Sequence, residues 1–244
     1  MRNVKVVVEY DGTDYFGFQY QPGVPTIQGE LERVLSTLVK RKVIVYGSGR
    51  TDAGVHAAGQ VINFRIDEGI PTDRVCAAMN SLLPKDIAVL SAVEVENDFH
   101  ARYSAVSRLY RYDILSQSVR SALEGRFCWH INRPLNVDAM RAGARCLLGV
   151  HDFSSFWCAR GADDCPVRDM KSIVVDGHGE HVIIEMRANA FLRSMVRVIV
   201  GTLVDVGLGK LAGSDVCDIL EAQDRRVAGK TAPPQGLCLM EVEY

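Results

Sequence analysis

Hydrophobic residues recur with two different periods along the first hundred residues. Residues Val4–Tyr10 ("VKVVVEY") and Ile87–Val95 ("IAVLSAVEV") are rich in β-branched side chains and predict strands, and "QVINFRI" alternates apolar and polar residues as a half-buried strand does. Residues 71–83 have a helical pattern that Pro84 stops. Another apolar helix face follows Thr26, a favoured N-cap residue: Ile27, Leu31, Val34, Leu35 and Leu38.

The second half of the chain repeats this mixture of strands and helices from about Arg108. "RLYRYDIL" and "RFCWHI" predict strands, and "SIVVDGHGEHVIIEMRA" predicts a hairpin that turns near Gly177–Gly179. Asn136 is a candidate N-cap for a helix with Met140, Ala144, Leu147 and Leu148 on its apolar face. A longer helix has Gly207 as its candidate C-cap, and its apolar residues are Leu192, Met195, Val196, Ile199 and Leu203. A short helix from Ser214 and the strand "GLCLMEVEY" complete the pattern.

The two halves have similar size and contain the same mixture of elements. We therefore predict an α+β protein of two pseudo-duplicated domains, residues 1–105 and 106–244, with a cleft between them. Ligands bind most often in clefts between domains, so we expect the functional residues there.

Composition narrows the class of protein without identifying a function. Hydrophobic residues make up 48% and charged residues 24% of the chain, as in ordinary globular proteins. The first residues lack the apolar run of a signal peptide, and no apolar stretch approaches the ~18–20 residues that span a bilayer, so we expect a cytoplasmic protein with no membrane contact. The seven cysteines contain no C-x-x-C pair and are expected to be reduced. The spacing of His151, Cys158 and Cys165 matches no standard zinc site, so we predict no bound metal.

Charge is nearly balanced overall but uneven along the chain. The net charge of −2 gives no global electrostatic argument for nucleic-acid binding. Of the 28 basic residues, however, 21 are arginines, a side chain that grips phosphates with two hydrogen bonds and stacks on bases. Five arginines lie in the segment from Arg102 to Arg126, against two acids. This segment is a candidate phosphate-facing surface, although an arginine surplus is also a common feature of composition alone.

One glycine-rich stretch, "YGSGRTDAGVHAAGQVINF" from Tyr46 to Phe64, places an arginine and an aspartate two residues apart just before a predicted strand. Its glycines let the backbone turn sharply and approach a ligand closely. On spacing alone, Asp52 is best explained as a turn residue that hydrogen-bonds its own backbone. A nucleotide site is a weaker alternative, because "GSGRTDAG" is neither G-x-G-x-x-G nor a P-loop. A catalytic carboxylate is the third alternative.

The rest of the chain separates these alternatives. "GRTDAGVHA" resembles the signature of the tRNA pseudouridine synthase A family, and "EYDGTDYFGFQ", "IQGELE" and "DFHARYSA" with "RLYRY" resemble the family's opening, first helix and central segment. "NAFLRSMVR", "IVGTL" and "APPQGLCL" are similar to its C-terminal blocks. Blocks in the same order over essentially the whole chain are far more specific than a single motif. The resemblance therefore favours the catalytic alternative for Asp52.

This resemblance implies an isomerase that converts uridine to pseudouridine at positions 38 to 40 of tRNA, in the anticodon stem and loop, without a cofactor. The base must leave its ribose, rotate and rejoin through carbon 5. The family's catalytic aspartate corresponds to Asp52. The sequence leaves open whether this carboxylate adds to the uracil ring, attacks the ribose or abstracts a ribose proton, but each route starts from an ionised carboxylate.

A buried ionised carboxylate needs a cationic partner, because its pKa otherwise rises. Arg50 and Arg197, the second of which matches another active-site arginine of the family, are the candidates, and a solvated helix-surface charge is the alternative for Arg197. Tyr110 matches the family's active-site tyrosine, which would stack on the uracil. Tyr112 points the same way in a strand, so the pattern alone does not choose between the two. Leu237 resembles the apolar residue that lines the uracil pocket, although a leucine in a final strand is first a core residue.

The resemblance also implies the architecture and the partners. It predicts two α+β domains with antiparallel sheets joined around a central RNA-binding cleft, in a homodimer that binds the anticodon arm of tRNA. Phe18 and Ser194 depart from the family's usual tryptophan and histidine, and both departures concern RNA contacts. His56 is expected to make a structural or RNA contact and not to act as a base. The alternative functions are a synthase acting on another RNA or position, a non-catalytic RNA-binding module and a small-molecule phosphate enzyme.

Overall fold

The computed structural model describes residues 1–67, 70–158 and 165–244, and the chain divides into two compact units. Unit 1 comprises residues 1–106 and 238–244, and unit 2 comprises residues 107–237. The sequence pattern assigns the last strand to the second half, whereas residues 238–244 group with unit 1. The end of the chain thus contributes to the unit that contains Asp52.

The described residues form ten β-strands and five α-helices. The strands are β1 (Arg2–Tyr10), β2 (Tyr46–Gly47), β3 (His56–Ile66), β4 (Ile87–Val95), β5 (Ser107–Ser116), β6 (Trp129–Ile131), β7 (Gly149–Asp152), β8 (Val167–His178), β9 (His181–Ala188) and β10 (Leu237–Glu243). The helices are α1 (Ile27–Val39), α2 (Thr72–Asn80), α3 (Val137–Ala144), α4 (Met195–Gly207) and α5 (Asp215–Ala222). None of these helices has the length and apolar composition needed to cross a membrane.

Strand β1 is the centre of the unit 1 sheet, because it pairs antiparallel with both β3 and β4. Strand β2 pairs antiparallel with β3, and β10 pairs with β3 in the parallel direction. Val4, Val6 and Val8 of β1 are fully buried, in agreement with the predicted strand. Helix α1 begins at its predicted cap, since the Oγ1 atom of Thr26 accepts a hydrogen bond from the N–H of Gly29 at 3.2 Å.

In unit 2, strands β5, β9, β8 and β7 are neighbours in that order and are antiparallel, and β6 pairs with β5 in the parallel direction. Strands β8 and β9 form the predicted hairpin, with His178 opposite His181. The side chain of Asn136 caps α3 as predicted, accepting a hydrogen bond from the N–H of Ala139 at 3.0 Å. Helices together with mainly antiparallel sheets confirm the predicted α+β class, and the short parallel pairs made by β6 and β10 are exceptions.

Helix α4 forms within the apolar segment whose spacing predicts a helix. All of its residues except Arg197 and Asp205 are buried. A helix that is apolar on all sides belongs in a core, and α4 packs against α3. Gly201 permits a close backbone approach on another side, since a Cβ atom there would lie 1.7 Å from the carbonyl oxygen of Lys230. The segment that contains Lys230 therefore passes directly over the helix.

Two expectations are wrong. Gly207 is the last residue of α4 and not its cap, and a Cβ atom there would lie 2.7 Å from the Sδ atom of Met140, so this glycine permits close helix packing. Cys146 and Cys217 form a disulfide with their Cα atoms 5.4 Å apart, although all cysteines were expected to be reduced. The pair is 71 residues apart in the chain, and only the fold of unit 2 brings it together.

Candidate active site

Asp52 lies in the loop between β2 and β3. Its carbonyl oxygen accepts a hydrogen bond from the N–H of Val55 at 3.1 Å, and Gly54 has the positive φ of +77° that such a turn requires at its third position. The N–H of Gly54, which a turn built by the aspartate side chain would use, donates to the carbonyl of Tyr15 at 3.3 Å. Backbone hydrogen bonds therefore complete the turn, and the half-buried side chain of Asp52 is not needed to build it.

The segment before α1 packs against the same loop. The N–H of Phe18 donates to the carbonyl of Thr51 at 3.1 Å. Gly12 lies so close to the loop that a Cβ atom there would be 2.0 Å from the carbonyl oxygen of Val55. Only glycine fits at position 12 without moving one of the two segments. The "YDGTDYFGF" segment thus fixes the position of the loop.

A buried polar network fixes the loop from the side of the sheet. The Oγ atom of Ser48 donates to Gln60 Oε1 at 2.6 Å, and Gln60 Nε2 donates to the carbonyl of Gly49 at 3.1 Å. The hydroxyl oxygens of Tyr10 and Thr51 are 2.9 Å apart. Burial raises the pKa of Tyr10, so its hydroxyl keeps its proton. Sequence reasoning missed Tyr10 and Gln60, and the available signal was a glutamine inside an apolar strand.

Arg50 and His56 lie on either side of Asp52 in the chain and have different environments. Arg50 is exposed, and within the described ranges it makes no hydrogen bond or ion pair. Arg50 is therefore not the charge partner of Asp52 in this structure. The Nδ1 atom of His56 accepts a hydrogen bond from the N–H of Gly12 at 3.1 Å and lies 3.2 Å from Asp11 Oδ1. Both contacts tie the imidazole to the segment that packs against the loop, which agrees with a structural role for His56.

The two tyrosines of β5 have different environments in unit 2. Tyr112 is fully buried, and its hydroxyl donates to the carbonyl of Pro233 at 2.7 Å. Burial raises the pKa of Tyr112, and the positive charge of Arg197 opposes that rise. Tyr110 is 8% exposed, and its ring meets the ring of Phe191 edge-on at a centroid distance of 5.2 Å. The hydroxyl of Tyr112 thus has a structural role, which leaves Tyr110 as the candidate for the site.

Arg197 lies in the first turn of α4 with its side chain half-buried. Its Nε atom donates to the carbonyl of Ala232 at 2.8 Å, and its own carbonyl accepts from the N–H of Ala232 at 2.9 Å. A cation near the positive end of a helix is unfavourable by ~0.3–1 kcal/mol unless an anion is close. Ser194, just before the helix, has a left-handed φ of 59°, which costs ~1–3 kcal/mol for a residue with a side chain. The half-buried side chain and its hydrogen bond to Ala232 show that Arg197 is not the solvated surface charge considered as its alternative.

Leu237 is the first residue of β10 and is 6% exposed. The turn before it passes against Tyr112, since a Cβ atom on Gly236 would lie 2.6 Å from Tyr112 Cε1. Burial of Leu237 agrees with a core role, and its contact with a uracil remains a prediction.

The candidate residues are distributed over both units. Unit 1 contains Arg50 and Asp52, and unit 2 contains Tyr110, Arg197 and Leu237. In the part of the chain that the structure describes, no three or more His, Cys, Asp or Glu residues are grouped so that they could hold a metal ion.

A protein-family model described as "tRNA pseudouridine synthase" matches residues 6–104 and 144–244, which is more than half of the chain. The matched ranges include Arg50, Asp52, Arg197 and Leu237. Tyr110 lies between the two ranges.

Full-length relatives extend this match to the whole chain. The chain is 45% identical over 244 residues, 100% of both chains, to a protein of Thermoanaerobacter sp. (strain X514) named "tRNA pseudouridine synthase A". It is 46% identical over 238 residues to a protein of the same name from Halalkalibacterium halodurans, covering 97% of this chain and 90% of that one. A third protein of that name, from Geobacter sp. (strain M21), is 43% identical over 245 residues, covering 100% of this chain and 99% of that one.

Among solved structures, one titled "Crystal Structure of a Cbf5-Nop10-Gar1 Complex" aligns with 97% of this chain and 48% of that chain. Its sequence identity of 11% and TM-score of 0.36 are too low to support a conclusion. The family model and the full-length relatives are sufficient without it, and they show that this chain belongs to the tRNA pseudouridine synthase family.

Proposed function

We propose that this chain isomerises uridine to pseudouridine at positions 38 to 40 of tRNA, in the anticodon stem and loop, with Asp52 as the catalytic carboxylate. Its family makes the chain an isomerase of tRNA uridine. The observation that carries the role of Asp52 is the turn around it, which backbone hydrogen bonds complete without the carboxylate. The surrounding segments hold the loop in place, as a reacting group requires.

The reaction balances without an outside reagent. The bond between ribose C1′ and uracil N1 breaks, the base rotates, and a bond forms between C1′ and C5. C5 loses a proton, and N1 carries one in the product. No electrons enter or leave, so we propose no cofactor. A carboxylate supplies either a nucleophile or a base, and the three routes open to Asp52 all begin with its ionised form.

The other candidate residues have proposed roles around the reacting nucleotide. The target base must leave its stack before a carboxylate reaches it, and we assign the stacking surface for the extruded uracil to Tyr110 and an apolar contact to Leu237. Arg197 is proposed to balance the charge of Asp52 or of an RNA phosphate. Arg50 is proposed to bind RNA, because it is exposed and has no protein partner within the described ranges.

We also propose that the chain acts as a homodimer in the cytoplasm. A single chain with a net charge of −2 has little overall attraction for a polyanion, and two copies around one tRNA would focus local positive potential on it. The molar mass of the purified chain in solution tests this, and a monomer at working concentration would contradict it.

Replacing Asp52 tests the catalytic proposal. Asp52→Asn keeps the shape of the side chain and removes its charge, so pseudouridine formation should fall by at least ~10²-fold, a typical minimum for loss of a catalytic acid or base. Affinity for tRNA should not weaken, because the substitution removes a negative charge that faces a polyanion. Asp73→Asn, an exposed aspartate in the first turn of α2, is the matched control.

The measurement is a site-by-site pseudouridine map of bulk tRNA incubated with each purified variant. Substantial turnover by Asp52→Ala would refute the catalytic role of Asp52. Modification by the unsubstituted protein only outside positions 38 to 40 would favour a synthase for another position. Binding of tRNA without any turnover by the unsubstituted protein would favour a non-catalytic RNA-binding module.

A further inference from the structure

Unit 1 has a cluster of three aromatic rings in contact, two of them exposed, that the chemistry at Asp52 does not use. The ring centroids of Tyr46 and His100 are 5.1 Å apart, and those of His100 and Tyr103 are 4.5 Å apart. Tyr46 is 42% exposed and Tyr103 is 76% exposed. The guanidinium of Arg102 lies 5.6 Å from the centre of the Tyr103 ring. We name Tyr46, His100, Arg102 and Tyr103 the aromatic platform.

The platform is built from two chain segments that β3 holds together. Tyr46 in β2 is paired with Asn63 of β3, and the Oδ1 atom of Asn63 accepts a hydrogen bond from the N–H of Ala101 at 2.9 Å. The N–H of Arg102 donates to His100 Nδ1 at 3.1 Å, which fixes the imidazole ring against its own turn. Asn63 is 2% exposed, so this junction lies in the core. The backbone that carries the rings and the imidazole of His100 are therefore held in place before any ligand arrives.

Exposed aromatic rings beside cations match the chemistry of unpaired nucleotides. Aromatic faces bind bases by stacking, and a neighbouring guanidinium adds attraction for the base or its phosphate. The segment that contains Tyr46, residues 40–50, has four cations and no acid. Of these cations, Arg41 pairs with Asp67 at 2.9 Å, and Lys40, Lys42 and Arg50 are exposed. The positive charge of the Tyr46 segment favours RNA over an apolar protein partner, although Glu94, Glu96 and Asp98 precede the other rings of the platform.

The platform lies within reach of the nucleotide that would react. Tyr46 and Asp52 are six residues apart in one loop, so their Cα atoms are separated by at most about 22 Å. Stacked nucleotides are spaced by about 3.4 Å along a strand, so that distance corresponds to roughly six nucleotides. An RNA with one uridine at Asp52 can therefore place a neighbouring unpaired nucleotide on the platform.

We propose that the aromatic platform binds an unpaired nucleotide of the substrate RNA by stacking, a few nucleotides from the uridine that reacts at Asp52. This proposal rests on the proposed function, because it takes the ligand to be the RNA whose uridine is isomerised. The platform contributes to substrate binding and takes no part in bond breaking. Its loss should therefore raise KM and leave kcat unchanged.

A pair of double variants tests the proposal. Tyr46→Ala with Tyr103→Ala removes both exposed rings, and Tyr46→Phe with Tyr103→Phe retains them and is the matched control. The alanine variant should raise the dissociation constant for an anticodon stem-loop RNA by about 5- to 150-fold, the range for loss of one stacked base, and the phenylalanine variant should not. A 2-aminopurine probe in the RNA loop should be quenched by the unsubstituted protein and by the phenylalanine variant only. Circular dichroism and thermal unfolding establish that both variants are folded.

The outcomes separate this proposal from the proposed function. Equal RNA affinity of the folded alanine variant and the unsubstituted protein would refute nucleotide binding by the platform. Equal loss of affinity in both double variants would refute it as well. A fall in kcat at saturating RNA without a change in KM would also overturn it. If the unsubstituted protein forms no pseudouridine but the alanine variant alone loses RNA affinity, the proposed function fails while stacking on the platform is supported.

Discussion

Tyr110 and Tyr112 lie two residues apart on β5, and replacing each by phenylalanine should affect different properties. Tyr112→Phe deletes the donor of the 2.7 Å hydrogen bond to the carbonyl of Pro233 and should lower stability. Tyr110→Phe keeps the ring that meets Phe191. We propose that the hydroxyl it removes transfers a proton in the reaction, so this variant should lower kcat. The pair therefore compares a structural hydroxyl with a functional one on the same strand.

The size of the stability effect follows from the burial of Tyr112. The residue is 0% exposed, and phenylalanine fills the same ring volume without opening a large cavity. A buried acceptor that loses its donor costs ~1–3 kcal/mol. One kcal/mol corresponds to about 2–4 °C in Tm for a protein of this size, so Tm should fall by roughly 2–12 °C. At a temperature where the variant is folded, kcat should be unchanged.

The dependence of stability on pH provides a second measure of the same hydroxyl. Burial raises the pKa of Tyr112 above its ordinary value of ~10, so the folded state retains a proton that the unfolded state loses. Stability from this group is fully present below pH ~10 and falls as pH rises above it, by up to ~1.4 kcal/mol per pH unit. Phenylalanine does not ionise, so the difference in stability between the two proteins should shrink above pH ~10.

Urea unfolding between pH 8 and 11, together with kcat on tRNA, measures these effects. Tyr110→Phe should retain most of the stability and lose about 10²-fold in kcat if its hydroxyl transfers a proton. The structural role of Tyr112 is refuted if Tyr112→Phe is as stable as the unsubstituted protein. It is also refuted if the folded Tyr112→Phe protein loses activity to the extent expected of Tyr110→Phe.

Two further predictions concern the loop that contains Asp52. Gly12→Ala places a Cβ atom 2.0 Å from the carbonyl oxygen of Val55, so it should cost ~1–3 kcal/mol and lower kcat by displacing the loop. Gly125→Ala is the control, because its new Cβ atom would lie 3.1 Å from its nearest neighbour, the carbonyl oxygen of Ser121. Urea unfolding and kcat compare the two variants. Equal values for both would contradict the close approach at Gly12. Gln60→Leu keeps the side-chain size and removes the hydrogen bonds to Ser48 and Gly49, so kcat should fall more than KM changes. A kcat equal to that of the unsubstituted protein in steady-state assays would show that this network does not position the loop.

Elements with local signals were predictable from the sequence. Thr26 and Asn136 accept hydrogen bonds from N–H groups three residues ahead, and that geometry depends only on their own helices. Likewise β1 is a run of β-branched residues, and its buried valines need no knowledge of their partners. Such elements are predictable because their own residues determine them.

Elements that depend on distant partners were missed. Strand β7 is a four-residue segment with Val150 67% exposed, and it is a strand because β8 supplies its hydrogen bonds. The burial of every α4 residue except Arg197 and Asp205 requires both α3 and the segment that crosses Gly201. Cys146 and Cys217 are 71 residues apart and meet only after α3 and α5 have packed. The hydrophobic periodicity of a segment does not identify any of these partners.

The same reasoning explains why the role of Asp52 required the resemblance. In the local sequence an aspartate two residues before a glycine is a turn residue, and nothing nearby contradicts that interpretation. The contrary evidence comes from Tyr15, which accepts the N–H of Gly54 from 39 residues away in the chain. Tyr10 and Gln60 likewise hold the loop from neighbouring strands, and the sequence signal for this role is a glutamine inside an apolar strand.

A substitution at Asp52 therefore tests catalysis, whereas a substitution at Arg197 also changes contacts within unit 2. Backbone hydrogen bonds build the turn at Asp52, so the turn itself does not depend on the carboxylate. Arg197 hydrogen-bonds Ala232 and acts on the pKa of Tyr112, so removing its side chain disturbs unit 2 as well as any substrate contact. Arg197→Lys keeps the charge but loses the planar donor geometry, and a loss of activity there combines both effects. Of the candidate residues, Asp52 therefore gives the most direct test of catalysis.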